Sequence, residues 1–392
     1  MRVIIIGAGI GGTSAAIALQ RLGHEVTVYD QIRENRPVGA ALSLWPNGVK
    51  VLNWLGLGAE VAALGGILDT MAYIDGHSGE PMCRFSLDPV TTQTGQRPYP
   101  VARADLQALL METVGSAHVR LGMRMVGIAE HHGEVTVTFE NGQTATADLL
   151  IGADGARSVT REYVLGSAPE RRYSGYTNFN GLVTVDPRIG PPNQWTTYVG
   201  DGKRVSVMPV AGDRFYFFFD VPQPAGVPYD RSDGTAPLRT AFDGWTDGVR
   251  HLIDAIDPAR SLNRVEIWDL DPIQTWTRGR VALLGDSAHN TAPDIGQGAC
   301  SALEDSFVLG LVFATTTLGV EDALLRYANA RTDRAADLVL RARKRAAETH
   351  GFDPAETHAW YASLRQETGE NVIRGILGNI VDSPVTIGGL LA

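Results

Sequence analysis

The chain opens on a complete strand–turn–helix–strand unit, and little else in it constrains the fold so tightly. Val3 to Ile6 is an unbroken apolar run, as expected of a parallel strand buried on both faces. Gly7, Gly9, Gly11 and Gly12 make the turn, and Thr13 to Leu22 reads as an alanine-rich helix small enough to lie close on a sheet. Gly23 ends that helix, and Glu25 to Asp30 returns as a second strand. In a G-x-G-x-x-G turn the first glycine (Gly7) permits the tight bend. The second (Gly9) lets a pyrophosphate approach the backbone, and the third (Gly12) allows close helix packing. The helix then offers free N–H groups to the anion. Asp30 follows Gly12 at the right distance to accept bonds from ribose hydroxyls. By itself this motif does not separate FAD from NAD.

A second strand-to-helix turn lies far away, in VALLGDSAHNTAPDIGQGACSALED from Val281 to Asp305. Gly285 and Asp286 follow the apolar strand, with Asp286 placed toward a ribityl chain. Pro293 and Gly296-Gln297-Gly298 bring backbone close to a ring. The helix beginning near Ala299 aims its positive end at that ring, which suits a reduced flavin carrying negative charge. The alternative for Asp286 is a helix N-cap. His289 reads as a polar turn residue rather than a general base. Between the two turns, LLIGADGARSVTR carries Asp154-Gly155, where Asp154 is either part of a cofactor site or a helix cap. Arg103 opens the helical pattern RADLQALLMETV as a candidate flavin or phosphate contact, or as an exposed structural arginine. Two glycine turns with a DG turn between them point to a bound flavin dinucleotide.

Composition sets the outer limits. A chain of 392 residues, 44% hydrophobic and 20% charged, has the makeup of a globular protein of about two domains. Its formal charge of −10 repels a phosphate backbone or an anionic membrane, so neither nucleic acid nor membrane is an expected partner. The basic cluster Arg341, Arg343, Lys344, Arg345 falls in a helical pattern and reads as a solvated face. Two cysteines, Cys83 and Cys300, lack metal-ligand spacing, so neither a disulfide framework nor a metal site is expected. With a strand starting at Arg2 and no membrane-length apolar run, a cytoplasmic setting is the expectation. No feature specifies an oligomeric state.

The fold class expected is α/β: an interrupted Rossmann-type FAD-binding domain, a mainly antiparallel β-sheet substrate domain and C-terminal helices. The FAD-binding parts span 1–72, 98–172 and 277–345, the substrate-domain parts 73–97 and 173–276, and the helical segment 346–392. Within 173–276 the strands WTTYV, RVSVMPV, FYFFF and VEIWDL alternate with turns, and Leu238 to Ile256 carries a helical period. Lys203 to Val210 and Arg214 to Phe219 read as a hairpin around Ala211-Gly212-Asp213. A three-residue loop pairs Met208 with Tyr216 and Arg204 with Asp220, which puts Arg204 and Tyr216 on one face of the sheet. The alternative is an Arg204–Asp220 cross-strand salt bridge beside a buried Tyr216. Phe179, Phe217, Phe218 and Trp195 read by default as core, and otherwise as apolar walls of a pocket.

GAGIGG with Asp30, Asp154-Gly155 and GDSAH…P…GQG, in that order, resemble the single-component FAD-dependent aromatic hydroxylases over nearly the whole chain. Longer stretches, among them PVGAALSLWPNGVKVL, RRYSGYTNFNGLV and QWTTYVGDGKRVSVMPV, are similar to the urate-hydroxylating branch of that family. The resemblance implies FAD contacts at Gly11, Asp30, Gln31, Ser43, the backbone of Met125, Asp286 and the segment Gly296, Gln297, Gly298, Ala299, Cys300. It implies substrate contacts at Arg204 and Tyr216, which are also the catalytic candidates. Where the family usually has glutamate this chain has Asp30, and Met125 replaces a small branched residue. The implied reaction consumes NADH and O2 and hydroxylates urate at C5 to 5-hydroxyisourate, with a flavin C4a-hydroperoxide delivering the oxygen. The alternative within the family is hydroxylation of another aromatic or heteroaromatic acid of the salicylate or hydroxynicotinate type. Outside it, the alternative is a flavin-free binding protein on the same scaffold, like the Rab GDP-dissociation inhibitors.

Overall fold

Val3, Ile4, Ile5 and Ile6 are each no more than 5% exposed, because their strand is covered on both faces. The computed structural model describes residues 1–34 and 40–387. Residues 37–39, which begin the stretch PVGAALSLWPNGVKVL, and 388–392 of the C-terminal segment lie outside the described residues.

Strand β1 (Arg2–Ile6) leads into α1 (Ile10–Arg21) and β2 (Glu25–Tyr29). Beyond a short strand (Ala41–Leu44) and two helices (Pro46–Trp54 and Gly58–Leu64) lie β3 (Thr70–Asp75) and β4 (Pro81–Ser86), and farther on α2 (Arg103–Val114), β5 (Val119–Arg120), β6 (Leu149–Gly152) and α3 (Val159–Leu165). The long β7 (Arg171–Thr184), β8 (Gln194–Gly200), β9 (Lys203–Val210) and β10 (Arg214–Pro222) precede α4 (Ala236–Ala241), α5 (Asp247–Ala255) and β11 (Asn263–Leu270). The chain then returns through β12 (Thr277–Arg278), β13 (Val281–Leu283) and α6 (Asp286–His289). It continues with the helices α7 (Gly298–Thr315), α8 (Val320–Thr349), α9 (Pro354–Leu364) and α10 (Glu370–Gly378).

Two large sheets result. One has the order β12-β13-β6-β1-β2-β5 and is parallel except for the edge pair β12–β13. The other, β11-β7-β10-β9-β8-β3-β4, is antiparallel except where β8 runs parallel to β3. The mixed α/β class expected from the sequence is therefore found, with helices closing the chain. The helical period over Leu238 to Ile256 does not form one helix. The chain breaks between α4 and α5, where Gly244 takes φ +74° and Phe242 and Trp245 pack edge-on at 4.9 Å.

The seven-stranded sheet has two unlike faces. Phe179, Val205, Phe215, Phe217 and Phe219 point one way, into a core closed by Leu238, Val249 and Leu252 of α4 and α5. Residues of the other parity, including Asn178, Asn180, Arg204, Ser206, Tyr216 and Phe218, face the parallel domain across a cavity. Strand alternation thus divides the aromatic run FYFFF between core and cavity. Phe218 and Trp195 are wall residues, whereas Phe179 and Phe217 are core.

Helix α7 is 18 residues long and apolar enough to cross a membrane by length and composition, yet most of it is buried inside the protein. Its Glu304 and Asp305 are fully buried and meet Arg331 of α8: Nη1 lies 2.8 Å from Glu304 Oε2, and Nε 2.7 Å from Asp305 Oδ1. Arg334 adds a second guanidinium on Glu304 at 2.8 Å, and His289 lies 2.7 Å from Asp305 Oδ2. His289 is accordingly a buried partner of Asp305 and plays no part in a pocket. The basic cluster of α8 is also paired, Arg343 with Asp269 and Asp271, Arg341 with Asp337, Arg345 with Glu348.

These buried carboxylates set a pH response. Burial raises the Asp305 pKa, but His289 and Arg331 overcome it and hold the group at about 2, below an ordinary 3.8. For Asp294, burial is likewise outweighed, by Arg204, His350 and Tyr176, again to about 2. A depressed carboxylate stabilises the folded chain fully above its unfolded value and loses that contribution as pH falls through the folded one. Unfolding free energies from urea titrations at about pH 5, 3.5 and 2.5 should therefore fall steadily, by about 2 kcal/mol per group over the series, and the midpoints with them. A midpoint that holds or rises toward pH 2.5 would rule the coupling out.

Candidate functional site

A cavity of about 850 Å³ runs between the two sheets, and both glycine turns border it. At the first turn Gly7 takes φ +108°, and a Cβ there would overlap the Ala153 carbonyl. A Cβ on Gly12 would overlap the Gly7 carbonyl in the same way. Gly9 is different: nothing lies within 4 Å of where its Cβ would sit, so that side of the turn is an open cradle. Gly9, Gly11 and Gly12 all line the cavity. Helix α1 has no acidic residue in its first turn and no side-chain cap, so its leading N–H groups are left for an anion. Asp30 accepts from the Ala8 N–H at 2.6 Å and the Ile32 N–H at 2.9 Å, bracing the turn from below.

The second turn mirrors this. Gly285 has φ +69° and is itself the N-cap of α6, so Asp286 is the first helical residue rather than the cap, and its exposed side chain borders the cavity. Gly296, Gly298 and Ala299 carry the wall to the start of α7, whose first turn also lacks an acid and a side-chain cap. Trp45 Nε1 is buried there without a hydrogen-bond partner among the described residues, beside the position a Gly296 Cβ would take. The open cradle at Gly9, two uncapped helix starts and this orphaned donor fit an extended dinucleotide with a polar ring system. A smaller anion would leave most of these features unused.

Not every residue singled out in the sequence borders the cavity. Asp154 turns away: its carboxylate accepts from Ser158 Oγ at 2.6 Å and from the Thr160 N–H at 3.0 Å, holding the start of α3. Ser158 is the N-cap of α3, and Asp154 supports it from four residues earlier, while its neighbour Gly155 lines the cavity. Gln31 is exposed and outside the cavity wall. Met125 is buried in the three-stranded sheet that follows α2. Gln297 is buried and accepts from Asn47 Nδ2 at 2.9 Å. Cys300 packs beneath the wall, and burial pushes its thiol up to about 12, so it is an inert filler. Both cysteines are buried and unpaired, and among the described residues no group of His, Cys, Asp or Glu could hold a metal ion.

The sheet wall carries the chemistry. The hairpin register is the one a three-residue loop dictates, Val210 with Arg214, Met208 with Tyr216 and Arg204 with Asp220, and Gly212 (φ +77°) makes the turn. Arg204 and Tyr216 therefore share the cavity face. The cross-strand salt bridge exists as well: Arg204 Nε donates to Asp220 Oδ2 at 2.7 Å. Its Nη2 donates to Asp294 Oδ1 at 3.1 Å, and its Cζ sits 5.1 Å over the Phe218 ring. Burial works against the charge on Arg204, but Asp220 and Asp294 keep it firmly protonated. Burial also raises the Tyr216 pKa, so the phenol keeps its proton as a donor. Asn178 Nδ2 donates to Asp220 Oδ1 at 2.6 Å, and Asn180 Nδ2 to Asn178 Oδ1 at 2.7 Å. Arg103, at the start of α2, faces the same space and makes no side-chain hydrogen bond to a described residue.

Asn178, Asn180, Asp294 and Tyr176 were not anticipated as site residues. The first two could have been found by extending the alternation of YTNFN from a known register. Asp294 and Tyr176 meet only through the tertiary fold, with Tyr176 Oη donating to Asp294 Oδ2 at 2.6 Å.

The two glycine positions allow a direct comparison. Gly9→Ala should leave stability unchanged and weaken FAD retention roughly tenfold, because its methyl enters only the cradle. Gly12→Ala should cost roughly 1–3 kcal/mol of stability by overpacking the turn. Urea titration and flavin absorbance of the purified proteins check both. Equal behaviour of the two variants would mean that Gly9 does not border a ligand.

A family model described as "FAD binding domain" matches residues 1–342. A protein of Mycolicibacterium vanbaalenii named FAD-dependent urate hydroxylase is 58% identical, over 98% of this chain and 98% of its own. One of Klebsiella pneumoniae with the same name is 51% identical, over 98% of this chain and 100% of its own. The crystal structure of Klebsiella pneumoniae HpxO complexed with FAD and uric acid superposes with a TM-score of 0.95 at 51% identity, covering 98% of each chain. The open cradle, the uncapped helix starts and this match over most of the chain agree, and the chain belongs to the FAD-binding-domain family of flavoprotein hydroxylases.

Proposed function

We propose that this chain hydroxylates urate at C5, giving 5-hydroxyisourate, with FAD as cofactor and NADH and O2 as co-substrates. The observation that carries the reading is the Arg204 guanidinium clamped between Asp220 and Asp294 on the wall opposite the glycine cradle. Asp220 takes Arg204 Nε and Asp294 takes Nη2, so the guanidinium has no free pair of parallel N–H groups left to grip a substrate carboxylate. A purine ring oxygen instead needs only a single donor each from Arg204 and Tyr216, which is what the cavity face offers. That balance favours urate over a salicylate-type acid.

When bound, FAD would accept a hydride from NADH and activate O2 for transfer to the substrate. The chain's part is to bind, orient and exclude water. In this reading the N–H groups of Gly9 to Gly12 take the pyrophosphate, and Asp30 and Gln31 lie toward the adenosine ribose. Ser43, Arg103, the Met125 backbone, Asp286 and the segment from Gly296 to Cys300 hold the rest of the cofactor. Arg204 holds the urate anion, and Tyr216 donates to the purine and fixes its C5. Phe218, Trp195, Met71 and Ile267 shield the reacting centre from water, which suppresses loss of oxygen as peroxide. A cytoplasmic setting, where NADH is supplied, belongs to the same reading.

The test is an absorbance spectrum of the purified protein, followed by NADH oxidation with urate or salicylate present, scoring hydroxylated product against hydrogen peroxide. A yellow protein that converts urate with little peroxide is expected. A protein that stays colourless with added FAD, or one that couples only to salicylate, would refute the reading.

A further inference from the structure

Asp294 sits in a single 3-10 turn, Pro293–Ile295, between the two halves of the second glycine segment. Such a short turn cannot hold a carboxylate by itself, yet this side chain is fully buried and takes donors from three other elements. Arg204 of β9 donates to Oδ1 at 3.1 Å, and Tyr176 of β7 donates to Oδ2 at 2.6 Å. The third contact is His350, the residue that ends α8, with Nε2 3.1 Å from Oδ1.

Because an ionised carboxylate only accepts, His350 Nε2 must be the donor, which fixes the tautomer. Its Nδ1 is buried with no hydrogen-bond partner among the described residues. The ring is 1% exposed and stacks on Tyr176 with centroids 3.9 Å apart and planes 27° from parallel. One residue therefore fixes Asp294 directly at Oδ1 and indirectly at Oδ2, by bracing the tyrosine that donates there. Oδ1 has both its acceptor positions filled, by Arg204 and His350. The Asp294 side chain has no exposed surface, so it acts on the cavity through Arg204, which lines it.

We propose that His350 is a positioning residue for the substrate, holding Asp294 so that Asp294 fixes the Arg204 guanidinium toward the bound heterocycle. The proposal rests on the urate reading above. Without His350 the carboxylate can rotate about its own side chain and pull Arg204 with it. The guanidinium then loses its place toward the purine, although it has not itself been altered.

Three substitutions separate the ring's hydrogen bond from its stacking. His350→Gln puts an amide near the Nε2 position, His350→Asn puts one near Nδ1, and His350→Phe keeps the stacked ring without a donor. The holoenzymes are compared for FAD content, thermal midpoint, urate KM, kcat and the ratio of product to NADH consumed. H350Q should stay within about threefold of the unaltered protein in KM and coupling. H350N and H350F should raise the urate KM about tenfold or more and release most of the oxygen as peroxide, with FAD content unchanged. H350F with unaltered KM and coupling overturns the proposal. So does H350Q that is as impaired as H350N or does not fold, since the amide restores the only polar bond the ring makes. If the unaltered protein shows no urate-dependent NADH oxidation, the urate reading fails instead.

Discussion

Arg204→Gln is expected to reduce coupled urate hydroxylation by about 10- to 150-fold in kcat/KM, while NADH oxidation continues and its electrons go to peroxide. The range corresponds to losing one charged hydrogen bond, about 1.5–3 kcal/mol. The physical basis is the position of the guanidinium between Asp220 and Asp294. Glutamine can replace one of those bonds but supplies no charge, so the two acids repel each other and the urate anion together. The cradle at Gly9 to Gly12 lies on the opposite wall, so flavin content should be preserved. Steady-state NADH consumption measured beside product and peroxide decides the matter. Unchanged affinity and coupling would remove Arg204 from the site.

Arg331→Met is expected to lower global stability by about 3–5 kcal/mol, the cost of breaking a buried pair by removing one partner. Arg331 is completely buried and also donates to Ser301 Oγ at 3.0 Å, so methionine would match its bulk and none of its bonds. Glu304 would keep Arg334, and Asp305 would keep His289 and the Gly285 N–H at 2.9 Å. Because Asp305 holds that glycine turn, flavin retention should fall together with stability, unlike in the Arg204 variant. Denaturant unfolding with and without added FAD tests this. A loss below about 1 kcal/mol would mean that the remaining cations suffice.

What the sequence disclosed and what it withheld differ in range along the chain. The glycine turns were legible because each is a local arrangement: spacing, a preceding apolar strand and a following helix lie within a few residues. The hairpin was legible because loop length alone sets its register, and register decides which of five aromatic-rich positions face the cavity. The sheet behind the turns followed from the same alternation. Asp154 was ambiguous for a physical reason: a carboxylate before a helix suits both a cap and a ligand, and that it braces the cap residue Ser158 is visible only in the fold. The clamp joins Asp294 to Tyr176, 118 positions away, and to His350, 56 positions away, and carries no local pattern. Its strand also contains a register shift between Tyr173 and Thr177, around Gly175 at φ +81°, which no periodicity reveals.

Helix α7 also touches the first turn: Ser306 Oγ donates to the Gly11 carbonyl at 3.1 Å, across 295 positions of chain. During synthesis the opening βαβ unit must therefore wait, its cradle half-built, until almost four-fifths of the polypeptide has emerged. Closing so large a loop is slow, so a nascent chain would acquire its prosthetic group late. Riboflavin-starved cells should then accumulate a folding intermediate open along this seam.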